Sequence, residues 1–392
     1  MKSIPYGRQN INQDDIDAVA EVLKSDFLTQ GPKVEEFEKK FAEYIGAKYA
    51  VAVANGTAAL HLCALALDVS KGDKVITTPI TFVASANCVL YCGGEISFTD
   101  IDKDTYLLDI NKLESLLKSN PKGTFKGIVP VDFAGNAIDL EKIKYLADKY
   151  NMWIIEDACH APGGFFIDSE GNTQFCGNGN FADLAIFSFH PVKHIATGEG
   201  GMITTNNKQL YEKLLLLRTH GITKISSKFK TINPEQDGGW YYEMQDLGFN
   251  YRLSDIHAVL GVSQLNRAKS NLSRRREIAQ KYDDAFKNTN IILGKATTEN
   301  IKLTGHAYHL YIIQIKDRLG LYNYLRKNNI FAQVHYIPVH LQPYYRQLGW
   351  KKGDFPISEN YYEHCLSLPM FPDLTNDEQN FVIEKVLEFV NK

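Results

Sequence analysis

Between residues 49 and 158 the chain alternates short apolar blocks with amphipathic ones, and this alternation narrows the fold more than any other feature. Tyr49–Val53, GDKVITTPI (72–80), GEISFTDID, GIVPVDFAG and MWIIEDA (152–158) read as strands. Helical spacing fills the gaps, with a helix beginning near Thr57 and others over 81–91, DINKLESLLK and 139–150. Apolar strands of about five to seven residues separated by helices of about ten indicate βαβ units in an α/β fold with a mostly parallel central sheet. Such a sheet gathers ligands at the carboxyl ends of its strands. Gly56, Thr81-Phe82, Asp132, Glu156-Asp157 and Ser188–Lys193 all fall at or just beyond predicted strand ends.

The flanking regions are organised differently. Upstream, 13–24 sets Ile16, Val19, Val22 and Leu23 at helical spacing behind an acidic first turn, and a second amphipathic helix passes through Phe37, Phe41 and Tyr44. Residues 165–183 are polar and glycine-rich, which predicts a loop or hairpin excursion. Helices follow from Leu253 to Ala268 and again from Ser273. In the second, Ile278, Tyr282 and Phe286 make an apolar stripe and Arg274–Arg276 a solvated face. A domain boundary is expected here, giving a large domain over 1–268 and a smaller α+β domain over 269–392. The latter holds strands at AYHLYIIQI and IFAQVHYIPV, a helix through Leu321 and Leu325, and a terminal helix from about 375 to 391.

Charge removes some classes of partner. With 43 basic and 46 acidic residues the net charge is −3, which offers no electrostatic footprint for nucleic acid or a membrane surface. No apolar run reaches spanning length and MKSIPYGRQN lacks a signal peptide's apolar segment, so a cytoplasmic protein is expected. The six cysteines, at 63, 88, 92, 159, 176 and 365, lack zinc-type spacing. They are expected as reduced, mainly core-filling thiols, with no metal site.

Chemistry concentrates in FSFHPVKHIATGEGG (187–201). Apolar residues lead in (184–187) and out (202–204), so Lys193 sits on a tight loop between two buried strands. A partly desolvated lysine has a lowered pKa and forms Schiff bases with carbonyl compounds; most lysines are only surface charges. A carbonyl cofactor such as pyridoxal phosphate needs a carboxylate to keep its ring nitrogen protonated. Asp157, at a strand end, meets that need, although strand-end aspartates also cap helices. Gly56-Thr57 at a helix start and the Ser188 hydroxyl suit a phosphate, while the same glycine also suits a plain strand-to-helix turn. Phe82 offers a flat apolar surface or an ordinary core ring. His160 is placed to touch the cofactor hydroxyl or Asp157, or to serve structurally.

TPITFVASAN, EDACHAPGG, FSFHPVKHIATGEGG and GFNYRLSDIHAVLGVSQL together resemble the DegT/DnrJ/EryC1/StrS sugar aminotransferases, and the likeness runs from LTQGPKVEEFE to the C-terminal strand. Four motifs in the right order are far more specific than one. The resemblance implies the fold type I of pyridoxal phosphate enzymes (aspartate aminotransferase-like), with pyridoxamine phosphate as the alternate cofactor form, and catalysis by Lys193 and Asp157. Members with histidine in place of the lysine are sugar dehydratases, so Lys193, with His194 only after it, implies an aminotransferase.

WYYEMQDLGFNYRLSDIH and AQVHYIPVHLQPYYRQLG are similar to the subgroup acting in pseudaminic acid biosynthesis. That likeness implies a UDP-sugar substrate, UDP-2-acetamido-2,6-dideoxy-β-L-arabino-hexos-4-ulose, with L-glutamate as donor and 2-oxoglutarate as by-product. It further implies that Asn250 reaches the cofactor phosphate of a neighbouring subunit in a homodimer, and that Tyr6, Leu28, Thr29, Arg252, His335, Tyr336 and Gln342 line the UDP-sugar site. The chain departs from the subgroup at His194, where proline is common, and in the 165–180 excursion, which is expected to reshape the sugar pocket. The rival readings are a C4 aminotransferase for another UDP-4-keto sugar of bacillosamine or legionaminic type, a cofactor-dependent dehydratase, and a non-enzymatic sensor on the same fold.

Overall fold

The computed structural model describes residues 3–231, 238–295 and 304–391. Two helices precede the sheet. α1 (Gln13–Leu23) starts at a reciprocal cap between Asn12 and Asp15. α2 (Pro32–Ile45) has proline in its first turn and ends at Gly46, whose φ of 84° supplies the left-handed C-cap. There follow β1 (Tyr49–Val53), α3 (Gly56–Ala66), β2 (Lys74–Thr77), α4 (Ala84–Tyr91), β3 (Glu95–Phe98), α5 (Ile110–Lys118), β4 (Phe125–Val129), α6 (Leu140–Tyr150), β5 (Trp153–Asp157), β6 (Leu184–Ser188) and β7 (Gly201–Thr205). The strands form one seven-stranded sheet in the order β1-β7-β6-β5-β4-β2-β3. Only β7 runs against its neighbours, β1 and β6; the remaining pairs are parallel.

Side chains alternate across this sheet and build a core on each face. Ala50, Ala52, Ile154 and Phe187 pack on one face with Phe37 and Phe41 of α2. Val51, Val53, Ile155 and Ile186 pack on the other with Leu60, Leu62 and Cys63 of α3. Helix α3 is buried on nearly every side, which accounts for its composition of alanine and leucine rather than a two-faced pattern.

Beyond β7 come α7 (Lys208–Leu217), α8 (Asp255–Leu265), α9 (Ala268–Phe286), β8 (Tyr311–Gln314), α10 (Arg318–Lys327), β9 (Cys365–Leu368) and α11 (Asn376–Val390). A third core joins Ile278, Tyr282 and Phe286 of α9 to Ile313, Leu321, Leu325, Leu366 and Val386, and it includes Ile4. Ile4–Pro5 pairs in parallel with Ile330–Phe331, so the N-terminus is sewn into the C-terminal unit.

Several expectations need correction. GIVPVDFAG is strand only to Val129: Pro130 has no N–H for the ladder, and Phe133–Gly135 forms a 3₁₀ turn with Ala134 at φ 61°. In IFAQVHYIPV only Ile330–Phe331 is strand. α9 begins at Ala268 rather than Ser273, and Arg275 is not solvated. It is 1 % exposed, and its Nη1 donates to the carbonyls of Tyr308, His309 and Met370 at 3.1, 3.4 and 3.1 Å. The 165–183 excursion is a hairpin of Phe165–Ile167 and Thr173–Phe175, extended by Thr304–Gly305 into a three-stranded sheet. No described helix is long and apolar enough to cross a membrane, and all six cysteines are unpaired.

Candidate active site

A cavity of about 470 Å³ opens at the carboxyl ends of the parallel strands, where a sheet of this type places its ligands. The antiparallel β6–β7 pair anchors the loop that carries Lys193 into it: Phe189 N donates to Gly200 O at 2.8 Å and Thr197 N to Phe189 O at 2.9 Å. His194 fastens the same loop from behind. It is buried outside the cavity, and its Nε2 lies 2.8 Å from Ala307 O, so that nitrogen carries the proton and Lys193 is tied to the C-terminal unit.

Burial lowers the Lys193 pKa, against opposing influences from Cys159 and Asp157; desolvation penalises an ammonium that has no close counter-ion. Its Nζ lies 3.5 Å from His309 Nε2, the one hydrogen-bonding contact of that amine among the described residues. Asp157, 5 % exposed, faces the cavity from the end of β5. Ser85 Oγ donates to its Oδ2 at 2.6 Å and Cys159 N to its Oδ1 at 3.2 Å. Ser85 in turn shares a 2.8 Å hydrogen bond with Thr81.

On the opposite wall Asn55 caps α3 by accepting from Ala58 N. The Gly56 and Thr57 amides are left without intrahelical acceptors at an electropositive helix start. A Cβ at Gly56 would stand 3.0 Å from Ser188 Cβ, so glycine keeps that corner open. Phe82 is 57 % exposed, and its ring centroid stands 6.2 Å from that of Tyr336. His160 Nδ1 accepts from Ala134 N at 3.2 Å, and its Nε2 lies 3.2 Å from Tyr336 Oη.

The cavity thus collects Tyr6, Gly56, Thr57 and Phe82, together with Asp157, His160 and Ser188, and finally Lys193, His335 and Tyr336. It does not collect the other five predicted positions. Leu28 is 45 % exposed, Thr29 bridges Ser254, and Asn250 is exposed where its backbone bridges Thr219. Arg252 lines a separate cleft with Gln30 and Arg218. Gln342 leads into the short helix Pro343–Gln347. Asp132 and Glu156, though at strand ends, lie outside the cavity, and so does every residue of the 165–180 hairpin.

Sequence reading missed Ser85 and His309. Ser85 carried a usable signal, since it follows Thr81 by one helical turn on the segment after β2. His309 carried none, being one residue in a run read as a strand. The arrangement fits an aldehyde cofactor bearing a phosphate and a basic ring nitrogen: a buried amine of lowered pKa, a clamped carboxylate, open amides at a helix start and an exposed aromatic face share one cavity.

Comparison with known proteins gives the same reading. The model of the "DegT/DnrJ/EryC1/StrS aminotransferase family" matches residues 9–387. The UDP-4-amino-4,6-dideoxy-N-acetyl-beta-L-altrosamine transaminase of Campylobacter jejuni (strain 81-176) is 37 % identical over 99 % of this chain and 98 % of its own. Helicobacter pylori PseC, an aminotransferase involved in the biosynthesis of pseudoaminic acid, superposes with a TM-score of 0.86 at 30 % identity over the whole of both chains. Spr1654 from Streptococcus pneumoniae, in its PMP-form, gives a TM-score of 0.88 at 29 % identity over 99 % of both chains.

Proposed function

This chain belongs to the DegT/DnrJ/EryC1/StrS aminotransferase family, and from that premise we propose that it moves an amino group from L-glutamate to C4 of UDP-2-acetamido-2,6-dideoxy-β-L-arabino-hexos-4-ulose. The product would be UDP-4-amino-4,6-dideoxy-N-acetyl-β-L-altrosamine, made in the cytoplasm by a homodimer whose sites are shared between subunits. The observation that carries the catalytic part is the convergence of Lys193 and Asp157 on the cavity that also holds the start of α3. Relatives with the transaminase and PseC names, matched over nearly their full lengths, support the substrate. The exposure of Asn250 and the place of Arg252 on a separate cleft support a site completed by a second copy.

The cofactor of the family is pyridoxal phosphate, alternating with its pyridoxamine form. Gly56, Thr57 and Ser188 would hold its phosphate and Phe82 its ring face, with Asp157 at the ring nitrogen. When bound, it supplies an electron sink that acidifies the α-proton of an amino acid. The chain's own part is proton handling and placement. Lys193 Nζ, whose pKa burial lowers, is placed to accept a proton as a general base and to return it in the second half-reaction. Asp157 is fixed at the end of β5 by the Ser85 hydroxyl and the Cys159 amide, which donate to its two oxygens, so it is oriented to face the ring nitrogen of a bound cofactor. His309 steadies the lysine amine between the two transfers.

The decisive experiment incubates the purified protein with glutamate and each candidate UDP-4-keto-hexose and assigns the product's C4 configuration by NMR. Amination of the arabino ketone to the altro product is expected, with Lys193→Ala colourless and inactive. Exclusive turnover of a differently configured ketone would replace this substrate by the bacillosamine or legionaminic type. Full activity of Lys193→Ala would remove the mechanism.

A further inference from the structure

The Phe133–Gly135 turn is held unusually firmly for a connection between a strand and a helix. Its inner carbonyls are taken by the C-terminal unit: Leu310 N donates to Ala134 O at 3.2 Å and Ala307 N to Gly135 O at 2.7 Å. Asp132 closes the turn by accepting Ile138 N at 2.9 Å. Gly135 lies so close to neighbouring backbone that a Cβ would approach His160 O and Tyr308 N to 2.8 Å each. Ala134 itself adopts φ 61°, a conformation that alanine pays for, and in doing so aims its N–H at His160 Nδ1.

That one amide decides the protonation pattern of the ring. A nitrogen that accepts a main-chain N–H carries no proton, so Nδ1 is bare and a neutral His160 carries its proton on Nε2. Burial independently disfavours the imidazolium. Nε2–H then has Tyr336 Oη as its acceptor at 3.2 Å. A phenol oxygen that accepts this bond keeps its own O–H for another partner. Tyr336 Oη has no other hydrogen-bond partner among the described residues, and Tyr336 lines the cavity.

We infer that the Ala134 amide, acting through His160 as a positioning residue, makes the Tyr336 hydroxyl a one-way hydrogen-bond donor into the cavity, where it recognises an acceptor oxygen on the sugar of a nucleotide sugar. The inference rests on the nucleotide-sugar reading for its ligand but not for the lock itself, which is a property of the free protein. It also explains why a histidine serves at 160: it pairs one acceptor and one donor at a fixed spacing, as a glutamine side chain can also do.

The test therefore has two readings. Long-range ¹H–¹⁵N correlation of the ligand-free protein, with His160 assigned by its loss in His160→Gln, is expected to give the Nε2-protonated pattern unchanged from pH 6 to 9. A protonated Nδ1, or titration within that range, overturns the lock. Calorimetry on the cofactor-loaded protein then compares UDP with UDP-N-acetylglucosamine. Tyr336→Phe is expected to weaken the sugar nucleotide roughly three- to tenfold, the value of one neutral hydrogen bond, while leaving UDP unchanged. His160→Gln, which restores both the acceptor and the donor, is expected to bind both ligands as the unaltered protein does. Equal affinity of Tyr336→Phe for UDP-N-acetylglucosamine overturns the recognition role. Failure of the unaltered protein to bind UDP would instead refute the nucleotide-sugar reading and with it that role, leaving the spectrum to decide the lock.

Discussion

Glu156→Gln tests how two buried carboxyl groups coexist behind the site. Asp132 and Glu156 are 0 % and 1 % exposed, and their oxygens lie within 4.8 Å of each other and of Cys176 Sγ. Ile138 N occupies one Asp132 oxygen, the other has no donor besides these neighbours, and Gly177 N is shared by both Glu156 oxygens at 2.9 Å. Two adjacent buried anions would be prohibitive, so the pair keeps a proton on Glu156, donated to Asp132. Burial and mutual repulsion raise Glu156 well above the usual carboxylate range, and burial pushes Asp132 up to about 6. Asp157 raises both further.

The sign of the pH dependence follows. An unfolded glutamate releases its proton above about pH 4.3, whereas the folded pair keeps one. The folded state therefore binds more protons, one on Glu156 and, below about pH 6, a second on Asp132, and stability falls as pH rises, by up to about 1.4 kcal/mol per pH unit for each proton. The Glu156 part of the decline ends at its folded pKa, so between about pH 5 and 8 that proton accounts for at most about 4 kcal/mol. Glutamine at 156 offers an N–H to Asp132 and an oxygen to Gly177, with no proton to lose. Urea unfolding at pH 5, 6, 7 and 8, with exchange of the Gly177 amide as a local probe, is expected to give a flatter profile for the variant. Its stability at pH 5 should lie within about 1 kcal/mol of the unaltered protein. Parallel pH profiles for the two proteins would refute the shared proton.

Two further outcomes follow from close packing. Gly201→Ala would set a Cβ 2.5 Å from Asn55 O, a backbone atom that cannot rotate away; a stability loss of about 1–3 kcal/mol is expected, with weaker pyridoxal phosphate retention on dialysis because the displaced turn leads into Gly56. Arg275→Met would leave the Tyr308, His309 and Met370 carbonyls without their buried donor, at an expected cost of about 3–5 kcal/mol in urea unfolding; an Arg275→Met protein as stable as the parent would return that residue to the solvated face read from sequence.

Most of the site was legible because its parts sit at strand ends, and strand ends are local. Tyr49–Val53 is apolar throughout and breaks at Asn55-Gly56, so β1 and the start of α3 could be placed without knowing any neighbour. Lys193 stood out because two apolar strands bracket it. What failed was whatever depends on distant partners. Arg275 looks like its neighbours Arg274 and Arg276, and only carbonyls arriving from 308, 309 and 370 bury it. His309 meets Lys193 across a sequence separation of 116, which no spacing rule reaches. Glu156 and Asp157 are adjacent at one strand end, yet successive strand residues face opposite sides. Only one of them could enter the cavity, and the sequence holds no sign of which.

The five positions that the cavity leaves out are set apart for a different reason. Asn250 and Leu28 are exposed in a single chain, and Arg252 borders a cleft of its own. The resemblance gave them ligand contacts outside the cavity that a single chain forms. Their roles therefore stand or fall with a second copy: light scattering should give twice the 44.3 kDa chain mass, and Asn250→Ala should weaken pyridoxal phosphate retention. A monomer with full cofactor retention would strip Asn250 of its assigned role while leaving Lys193, Asp157 and the start of α3 as they are.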